Sequence, residues 1–212
     1  MKIKLEKIGK RYQKEWIFKD LDFQFESNSP VAILGSNGSG KSTLLQVLSG
    51  YLTPTEGLIQ WEKEGSLISV QHIYKSITLA SPASALYDDF TLRENITFFQ
   101  SFKSFKNEMN VEEVAKRMGL EAQMDKQLKF YSSGMRQRVK LGLAIMGESD
   151  ILLLDEPSSH LDAKAIQWYN DLVLEFMKDR VVCVASNKEE SETSFCKSAI
   201  DILNHKPAGV RV

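Results

Sequence analysis

The chain has little of several features that mark specialised classes of protein. Only two of its 212 residues are cysteine, Cys183 and Cys196, and their spacing matches neither a disulfide framework nor a metal-binding motif. Lys and Arg number 27 against 28 Asp and Glu, a net charge of −1, so the chain lacks the positive charge that holds nucleic acid. No apolar run approaches the ~18 residues that a membrane-spanning helix needs. We therefore predict a reduced, cytoplasmic protein that does not bind nucleic acid and reaches a membrane only through a partner.

Alternating strand and helix patterns indicate one α/β domain over residues 1–212. Apolar residues make up 42% of the chain, enough for a substantial core. Alternation near the amino terminus predicts two edge strands of an antiparallel β layer. Short apolar runs such as residues 31–34 predict buried strands of a mostly parallel sheet. Helical patterns dominate the middle of the chain. We therefore expect an α/β core at about 1–87 and 148–212 and an inserted helical subdomain at about 88–147.

Several local patterns in the first half of the chain make sharper predictions. Further short strands are expected at 58–61, 67–73 and 77–80. Thr91 and Glu94 have the spacing of a capping box, which predicts that a helix begins there. Aromatic residues then recur at helical spacing, at positions 98, 102 and 105, so this stripe either packs into the core or lines a groove for a partner.

A glycine-rich segment between a buried strand and a helix carries the strongest motif. Residues 35–42 fit G-x-x-x-x-G-K-[ST] at every fixed position, which favours a phosphate-binding loop over a turn that happens to precede a helix. Lys41 is expected to bridge the β- and γ-phosphates of a nucleotide, and the Ser42 hydroxyl to bind Mg²⁺. The predicted nucleotide-binding residues are Gly35, Ser36, Asn37, Gly38, Ser39, Gly40, Lys41, Ser42 and Thr43.

Two acidic residues follow the apolar run 151–154. Asp155 is predicted to be a Mg²⁺ ligand, and Glu156, which points the other way on an extended chain, to polarise an attacking water molecule. A pair of solvated acids at a strand end is the alternative. The phosphate-binding loop upstream favours the catalytic interpretation, so a nucleotide triphosphatase with a P-loop NTPase core is expected.

Three further segments resemble those of ATP-binding cassette (ABC) ATPases. Residues 131–139, YSSGMRQRV, resemble the signature motif of that family, leucine-serine-glycine-glycine-glutamine followed by an arginine-rich helix start. Residues 158–162, SSHLD, resemble its D-loop, with His160 and Asp162. Tyr12 occupies the place of the aromatic residue that the family sets against adenine. The resemblance covers essentially the whole chain, in the right order.

The resemblance implies how the chain binds ATP and Mg²⁺. Members of the family form head-to-tail dimers that hold two ATP molecules between the phosphate-binding loop of one subunit and the signature of the other. Ser132, Ser133 and Gly134 would therefore contact ATP bound to the opposing subunit. Tyr12 would stack on adenine, the alternative being a strand-end tyrosine that packs on the sheet.

The sequence departs from the family pattern at three places. Ser133 stands where the family prefers glycine. Residues 81 and 82, Ser and Pro, stand where a glutamine usually contacts Mg²⁺ and water, so that contact is lost or supplied by Ser81. Asn187 replaces a histidine that touches the γ-phosphate, and we predict it as a catalytic residue beside Glu156, able to donate a hydrogen bond but not to carry a proton charge. His160 in the D-loop is the alternative to Asn187 as a replacement for that histidine, but we favour an ordinary D-loop residue there, because this position often varies in the family.

The resemblance implies the ATPase subunit of an ABC transporter. Two such subunits, identical or different, would act on separate integral membrane permease subunits, which would hold them at the inner face of the cell membrane. The YSSGM variant of the signature slightly favours export over import. The alternative is an ABC ATPase that moves no solute and acts in cell division or iron–sulfur assembly.

Overall fold

Two β-sheets of different kinds form the framework of the chain in a computed structural model that describes residues 1–187 and 190–207. The strands are β1 (Lys2–Tyr12), β2 (Glu15–Glu26), β3 (Val31–Leu34), β4 (Glu56–Lys63), β5 (Ser66–Ile68), β6 (Ile77–Ala80), β7 (Ile151–Asp155), β8 (Val181–Ser186) and β9 (Ser198–Asp201). The helices are α1 (Lys41–Leu48), α2 (Leu92–Gln100), α3 (Val111–Arg117), α4 (Ser133–Met146), α5 (Ala163–Phe176) and α6 (Glu190–Thr193). The predicted α/β class is confirmed.

The antiparallel layer has the strand order β2-β1-β4-β5. We expected the first two strands to be edge strands, and this is wrong for β1, which pairs with β2 on one side and β4 on the other. The predicted strand at 67–73 is also wrong, because β5 ends at Ile68 and a 3-10 turn occupies Ile73–Ser76. The partly buried Ile68 is the last β5 residue paired with β4.

The second sheet is parallel throughout, with the order β6-β7-β8-β3-β9. Its central strands are buried on both faces: Leu153 packs into one hydrophobic cluster, and Leu152 and Leu154 pack into the other. Cys183 on β8 is fully buried, as a small core residue should be. Parallel strands end at the same edge, so the segments after β3, β7 and β8 lie side by side.

Helices α2, α3 and α4 lie between β6 and β7. Thr91 and Glu94 form the predicted capping box of α2, with the Thr91 hydroxyl accepting from the Glu94 amide and the Glu94 carboxylate accepting from the Thr91 amide. The predicted aromatic stripe is not one helix face, because α2 ends at Gln100. Phe105 is buried, whereas Phe102 is 74% exposed. No helix within the described ranges is long and apolar enough to cross a bilayer.

A buried arginine joins the ends of two helices to the parallel sheet. The Arg180 guanidinium is 1% exposed and donates to the Ile145 and Ala144 carbonyls at the end of α4, at 2.6 and 3.4 Å. It also donates to the Phe176 carbonyl at the end of α5 at 3.4 Å, to the Thr78 hydroxyl on β6 at 2.8 Å and to the Ser149 hydroxyl. Burial lowers the pKa of Arg180 to about 10. The partial negative charge at the end of α4 compensates the cation, which has no ion pair to a carboxylate in the described parts of the chain.

Replacing Arg180 with alanine should destabilise the chain strongly. We expect Arg180→Ala to lower the free energy of unfolding by about 3–5 kcal/mol, because it leaves several buried oxygen atoms without a donor. Chemical denaturation monitored by circular dichroism measures the loss. Arg117→Ala is the matched control: Arg117 pairs with Glu175 on the surface, its side chain is 49% exposed, and its loss should cost less than about 1 kcal/mol. Equal losses in the two variants would contradict the assigned role.

Candidate nucleotide site

The predicted phosphate-binding loop connects β3 to α1. Gly35 and Gly40 have φ angles of 156° and 109°, and a Cβ atom at either would collide with a neighbouring side chain. At Gly40 that neighbour is Ile17, whose Cγ2 would lie 2.4 Å away. Gly40 is also the residue before α1 and supplies no side-chain cap. The first amides of α1 are therefore left for an anion, as a phosphate site requires.

Lys41 lies at the centre of a network of polar side chains. Its side chain is 4% exposed, and its Nζ donates to the Gly35 carbonyl at 2.9 Å, the Ser36 carbonyl at 3.1 Å and the Asn187 Oδ1 at 2.5 Å. Glu156 Oε1 lies 3.8 Å from the same Nζ and accepts from Asn187 Nδ2 at 3.3 Å. Residues that the sequence places far apart, at positions 41, 156 and 187, therefore meet at one edge of the parallel sheet.

Asp155 is the last residue of β7 and lies beside this network. It is 6% exposed, and its Oδ1 accepts no hydrogen bond from any described residue. Burial raises the pKa of Asp155, and the Glu156 charge adds to the rise, while the Ser42 hydroxyl and Lys41 oppose it. A buried carboxylate oxygen without a donor, next to a hydroxyl, is the kind of oxygen pair that Mg²⁺ prefers. Asp155 and Ser42 therefore fit the predicted metal role.

A small cavity of about 180 Å³ opens over the loop. Its walls are Ile17, residues 38–43 and Glu156. Sequence analysis missed Ile17. Its side chain packs so close to Gly40 that no Cβ atom fits there, and no sequence motif indicates this contact. Tyr12 does not line this cavity. It lies at the end of β1, is 46% exposed, and has Lys10 Nζ 5.3 Å from its ring centroid.

The predicted signature and D-loop residues line a second cavity of about 370 Å³. Ser132 caps α4 by accepting from the Met135 amide at 3.2 Å, with Ser133 and Gly134 in the first turn. His160 and Asp162 also line this cavity, and Asp162 caps α5. The structure thus brings these two segments together. His160 lies in this second cavity and does not line the cavity over the phosphate-binding loop, so its place in the fold gives no support to it as a substitute for the family histidine.

Two contacts that sequence analysis missed tie α4 to the segments around the site. Gln137, which is buried, donates to the Pro157 carbonyl at 3.0 Å, directly after Glu156. Lys140 donates to the Pro82 carbonyl at 2.8 Å. The Ser81 hydroxyl bonds to the Ser84 hydroxyl at 3.1 Å and does not line the cavity over the loop, so Ser81 is not placed as a replacement for the family glutamine.

Removing the negative charge of Asp155 and removing that of Asp150 should change the stability of the fold in opposite directions. Burial raises the pKa of Asp155, so the folded chain holds its proton more tightly than the unfolded chain, and stability falls as pH rises through the unfolded value towards the folded value. Burial also acts on Asp150, but hydrogen bonds from Lys63 and Ser76 outweigh it and lower the pKa of that carboxyl, which stabilises the fold above its unfolded pKa.

We therefore expect Asp155→Asn to raise the melting temperature of the nucleotide-free protein at pH 7, and Asp150→Asn to lower it. The effect of Asp155→Asn should shrink as pH falls towards 4, because the raised pKa lets that carboxyl take up its proton early, whereas the effect of Asp150→Asn should persist at pH 4 and disappear only as pH falls through the lowered pKa of Asp150. Differential scanning calorimetry across this pH range measures them. A lower melting temperature for Asp155→Asn at pH 7 would contradict the assignment of Asp155 as a destabilising, ligand-ready acid.

Comparison with known proteins places this geometry in context. The chain is 29% identical over 213 residues to the ABC transporter ATP-binding protein YybJ of Bacillus subtilis, covering 96% of this chain and 93% of that one. It is 27% identical to the ABC transporter ATP-binding protein NatA of the same organism, covering 87% and 77%.

Solved structures of low sequence identity share the fold. A putative ABC transporter ATP-binding protein of Pyrococcus furiosus matches with a TM-score of 0.83 at 21% identity, over 98% of this chain and all of that one. A bacterial Atm1-family ABC exporter with ATP bound matches at 0.78 and 22%, over 95% of this chain and 37% of that one. The dimeric ATP-binding cassette MJ0796, in a post-hydrolysis state with ADP and Pi, matches at 0.79 and 21%, over 95% of both chains.

A family model described as ABC transporter matches residues 18–159. This range contains the phosphate-binding loop, the signature segment, Asp155 and Glu156, while Tyr12 and Asn187 lie outside it. The match spans more than half of the chain and agrees with both the fold and the order of the site residues. The chain belongs to the ABC transporter family and is an ATP-binding subunit with the ABC ATPase fold.

Proposed function

We propose that this chain hydrolyses ATP as one half of a dimer that drives export through separate membrane permease subunits. The observation that carries the proposal is the meeting of Lys41, Asp155, Glu156 and Asn187 at the end of the phosphate-binding loop. This is a cation, a metal-binding acid, a candidate base and an amide at one edge of a parallel sheet, the place where α/β folds bind ligands.

The phosphate chain would lie in the cavity over the loop. Lys41 and the first amides of α1 would hold the β- and γ-phosphates, with residues 35–43 wrapped around them. Ser42 and Asp155 would hold Mg²⁺, which when bound neutralises charge on the phosphates. No cluster of three or more acidic, histidine or cysteine residues in the described ranges would hold a metal by itself, which fits an ion that arrives with its nucleotide.

Glu156 would act on the attacking water. Water adds to the γ-phosphorus, the bond from that phosphorus to the β,γ-bridging oxygen breaks, and Glu156 accepts the proton that the water loses. Glu156 has a left-handed backbone conformation, with φ 48°. A hydrogen bond of 2.9 Å from its backbone amide to the Ala185 carbonyl holds it there. Asn187 Nδ2 orients its carboxylate. The adenine would extend past Ile17 towards Tyr12.

The second cavity, which the signature and D-loop residues line, would complete the nucleotide site of an opposing subunit. Ser132 and Gly134 present a hydroxyl and an amide at the start of the 14-residue helix α4, a second place suited to a phosphate. It is separate from the cavity over the phosphate-binding loop. One chain therefore has two different surfaces suited to the phosphates of ATP. A head-to-tail dimer of identical or different subunits would use both.

Glu156→Gln should abolish turnover and trap the ATP-bound dimer. The amide keeps the shape of the side chain but cannot accept the proton, so hydrolysis stops while binding continues. Size-exclusion chromatography with Mg-ATP should show a dimer for Glu156→Gln, and a phosphate-release assay should show turnover reduced at least a hundredfold. Lys41→Met in the same background should remain monomeric. Normal hydrolysis by Glu156→Gln would overturn the catalytic assignment.

An exposed aromatic patch would dock the permease. Tyr87, Phe90, Phe98 and Phe102 are each at least 37% exposed, and neighbouring rings of the patch lie 4.7–5.1 Å apart. Buried Asn95 on α2 bonds to the Tyr87 backbone at both its amide and its carbonyl, at 3.1 Å each. Tyr87 and Phe90 belong to the segment between β6 and α2 that also contains residues 81–84, while Phe98 lies on α2 and Phe102 follows it. An apolar permease segment seated on the patch would therefore be linked to residues 81–84 through Tyr87 and Phe90.

Phe102→Ser should detach the chain from its permease without changing its basal ATPase rate. Phe102 is the most exposed member of the patch and lines neither the cavity over the phosphate-binding loop nor the cavity of the signature segment. Affinity purification from gently solubilised cells should recover a polytopic membrane protein in a one-to-one ratio with the wild type and lose it with Phe102→Ser. Leu174→Ser on α5, which removes a 51% exposed leucine, is the control that should retain it.

The identity of the recovered partner also tests the alternative functions. A soluble scaffold would indicate iron–sulfur assembly, and a single-span protein would indicate cell division, with the same ATP chemistry in both cases. The variant signature, Tyr131 to Met135, and the shared fold with a protein described as an exporter support export. Uptake of labelled solute into inverted membrane vesicles containing the purified complex would measure the direction.

A further inference from the structure

We propose that Asn187 is a latch that holds Lys41 and Glu156 in a resting arrangement, so that ATP binding and turnover respond to its side chain in opposite directions. This inference rests on the proposed function, in which the γ-phosphate binds Lys41. Asn187 would thus have two roles that a phosphate contact alone does not have: it competes with ATP for the lysine, and it positions the acid that acts on water.

The competition follows from the number of donors on Lys41. A lysine ammonium has three N–H groups, and the described acceptors at 2.9, 3.1 and 2.5 Å occupy all three. A γ-phosphate oxygen must therefore replace one of these acceptors or share an N–H group of Lys41 with it. The Gly35 and Ser36 carbonyls belong to the loop backbone, which the bond from the Ser39 amide to the Ser36 carbonyl fixes. The Asn187 side chain can leave by rotation, so its bond is the one that ATP exchanges.

The orientation of the Asn187 amide follows from its partners. Lys41 can only donate, so the amide oxygen faces Lys41 and the amide nitrogen must face Glu156, where the acceptor Oε1 lies at 3.3 Å. Lys41 Nζ and Glu156 Oε1 are 3.8 Å apart, which closes a three-membered cluster. Asn187 thus accepts from the cation and donates to the anion from one end of one side chain.

Histidine at this position would close the same cluster in only one of its protonation states. A neutral ring has one acceptor and one donor nitrogen and could serve Lys41 and Glu156 in a single tautomer. A protonated ring has no acceptor and would repel Lys41. The asparagine that distinguishes this chain from the family pattern therefore keeps both its acceptor and its donor at every pH, which a histidine does not.

If Asn187 acts as a latch, removal of its side chain should make nucleotide binding tighter and turnover slower. In Asn187→Ala, one N–H of Lys41 is free before nucleotide arrives, and we expect the Kd for a non-hydrolysable ATP analogue to fall about threefold to tenfold, the range for one hydrogen bond. Glu156 loses its donor, so kcat should fall at least tenfold. Isothermal titration calorimetry measures Kd, and steady-state phosphate release gives kcat and KM separately.

Two further substitutions separate the latch from a simple phosphate contact. Asn187→Asp keeps the acceptor for Lys41 and strengthens it, but it adds a negative charge beside Glu156 and the phosphates, so the analogue should bind at least tenfold more weakly. Asn187→His has no acceptor for Lys41 when its ring is protonated but keeps a donor for Glu156, so at a pH below the pKa of the ring it should bind the analogue more tightly and turn over faster than the wild type. Asn170→Ala, which removes an α5 asparagine bonded to the Ser191 carbonyl, should change neither constant.

The outcomes distinguish failure of the latch from failure of the proposed function. Weaker or unchanged analogue binding by Asn187→Ala, with lower kcat, would overturn the latch and leave Asn187 as a phosphate contact. Equal binding of the analogue by the wild type and Lys41→Met would instead overturn the proposed ATP site. Melting temperatures of all variants within about 3 °C of the wild type would exclude a folding defect as the cause.

Discussion

Parallel pairing of β3, β7 and β8 is the constraint on which the rest of the site depends. Val31 pairs with Cys183 and Leu154 with Val184, so the three strands end at one level. Asp155 is the last residue of β7, and the phosphate-binding loop, Glu156 and Asn187 each directly follow one of the three strands. A slip of two residues in the pairing of β8 would move Asn187 by about 7 Å, beyond the reach of both Lys41 and Glu156. The chemistry is thus a consequence of strand register, which the apolar residues on both faces of the sheet hold in place.

Electrostatic balance explains why this arrangement exists without nucleotide. Lys41 is nearly buried, and a buried cation is costly unless it is compensated by hydrogen bonds and opposite charge. Two carbonyls, one amide oxygen and the nearby Glu156 supply that compensation. The same cannot be said of Asp155, whose Oδ1 accepts from no described neighbour. The site therefore satisfies its cation and leaves Asp155, the proposed Mg²⁺ ligand, with an unsatisfied oxygen, which fits the proposal that a metal ion binds there together with phosphates.

Much of this arrangement could be predicted from the sequence, because it depends on short motifs with strict physical requirements. The phosphate-binding loop needs its glycines and its position between strand and helix, and a capping box needs only the spacing of Thr91 and Glu94. Other features depend on tertiary contacts that no local pattern encodes. Helix α2 ended too early for its aromatic residues to form one face, and β1 became an interior strand because β4 returned to its other side. Arg180 has no sequence signal at all, since its partners come from four separate segments.

A crystal structure of Glu156→Gln with Mg-ATP tests the central claim most directly. The account predicts the γ-phosphate on Lys41 Nζ in place of the Asn187 oxygen, Mg²⁺ between Ser42 and Asp155, and Ser132 of an opposing subunit on the same phosphate. A structure in which Lys41 keeps its bond to Asn187 while ATP binds elsewhere would contradict it.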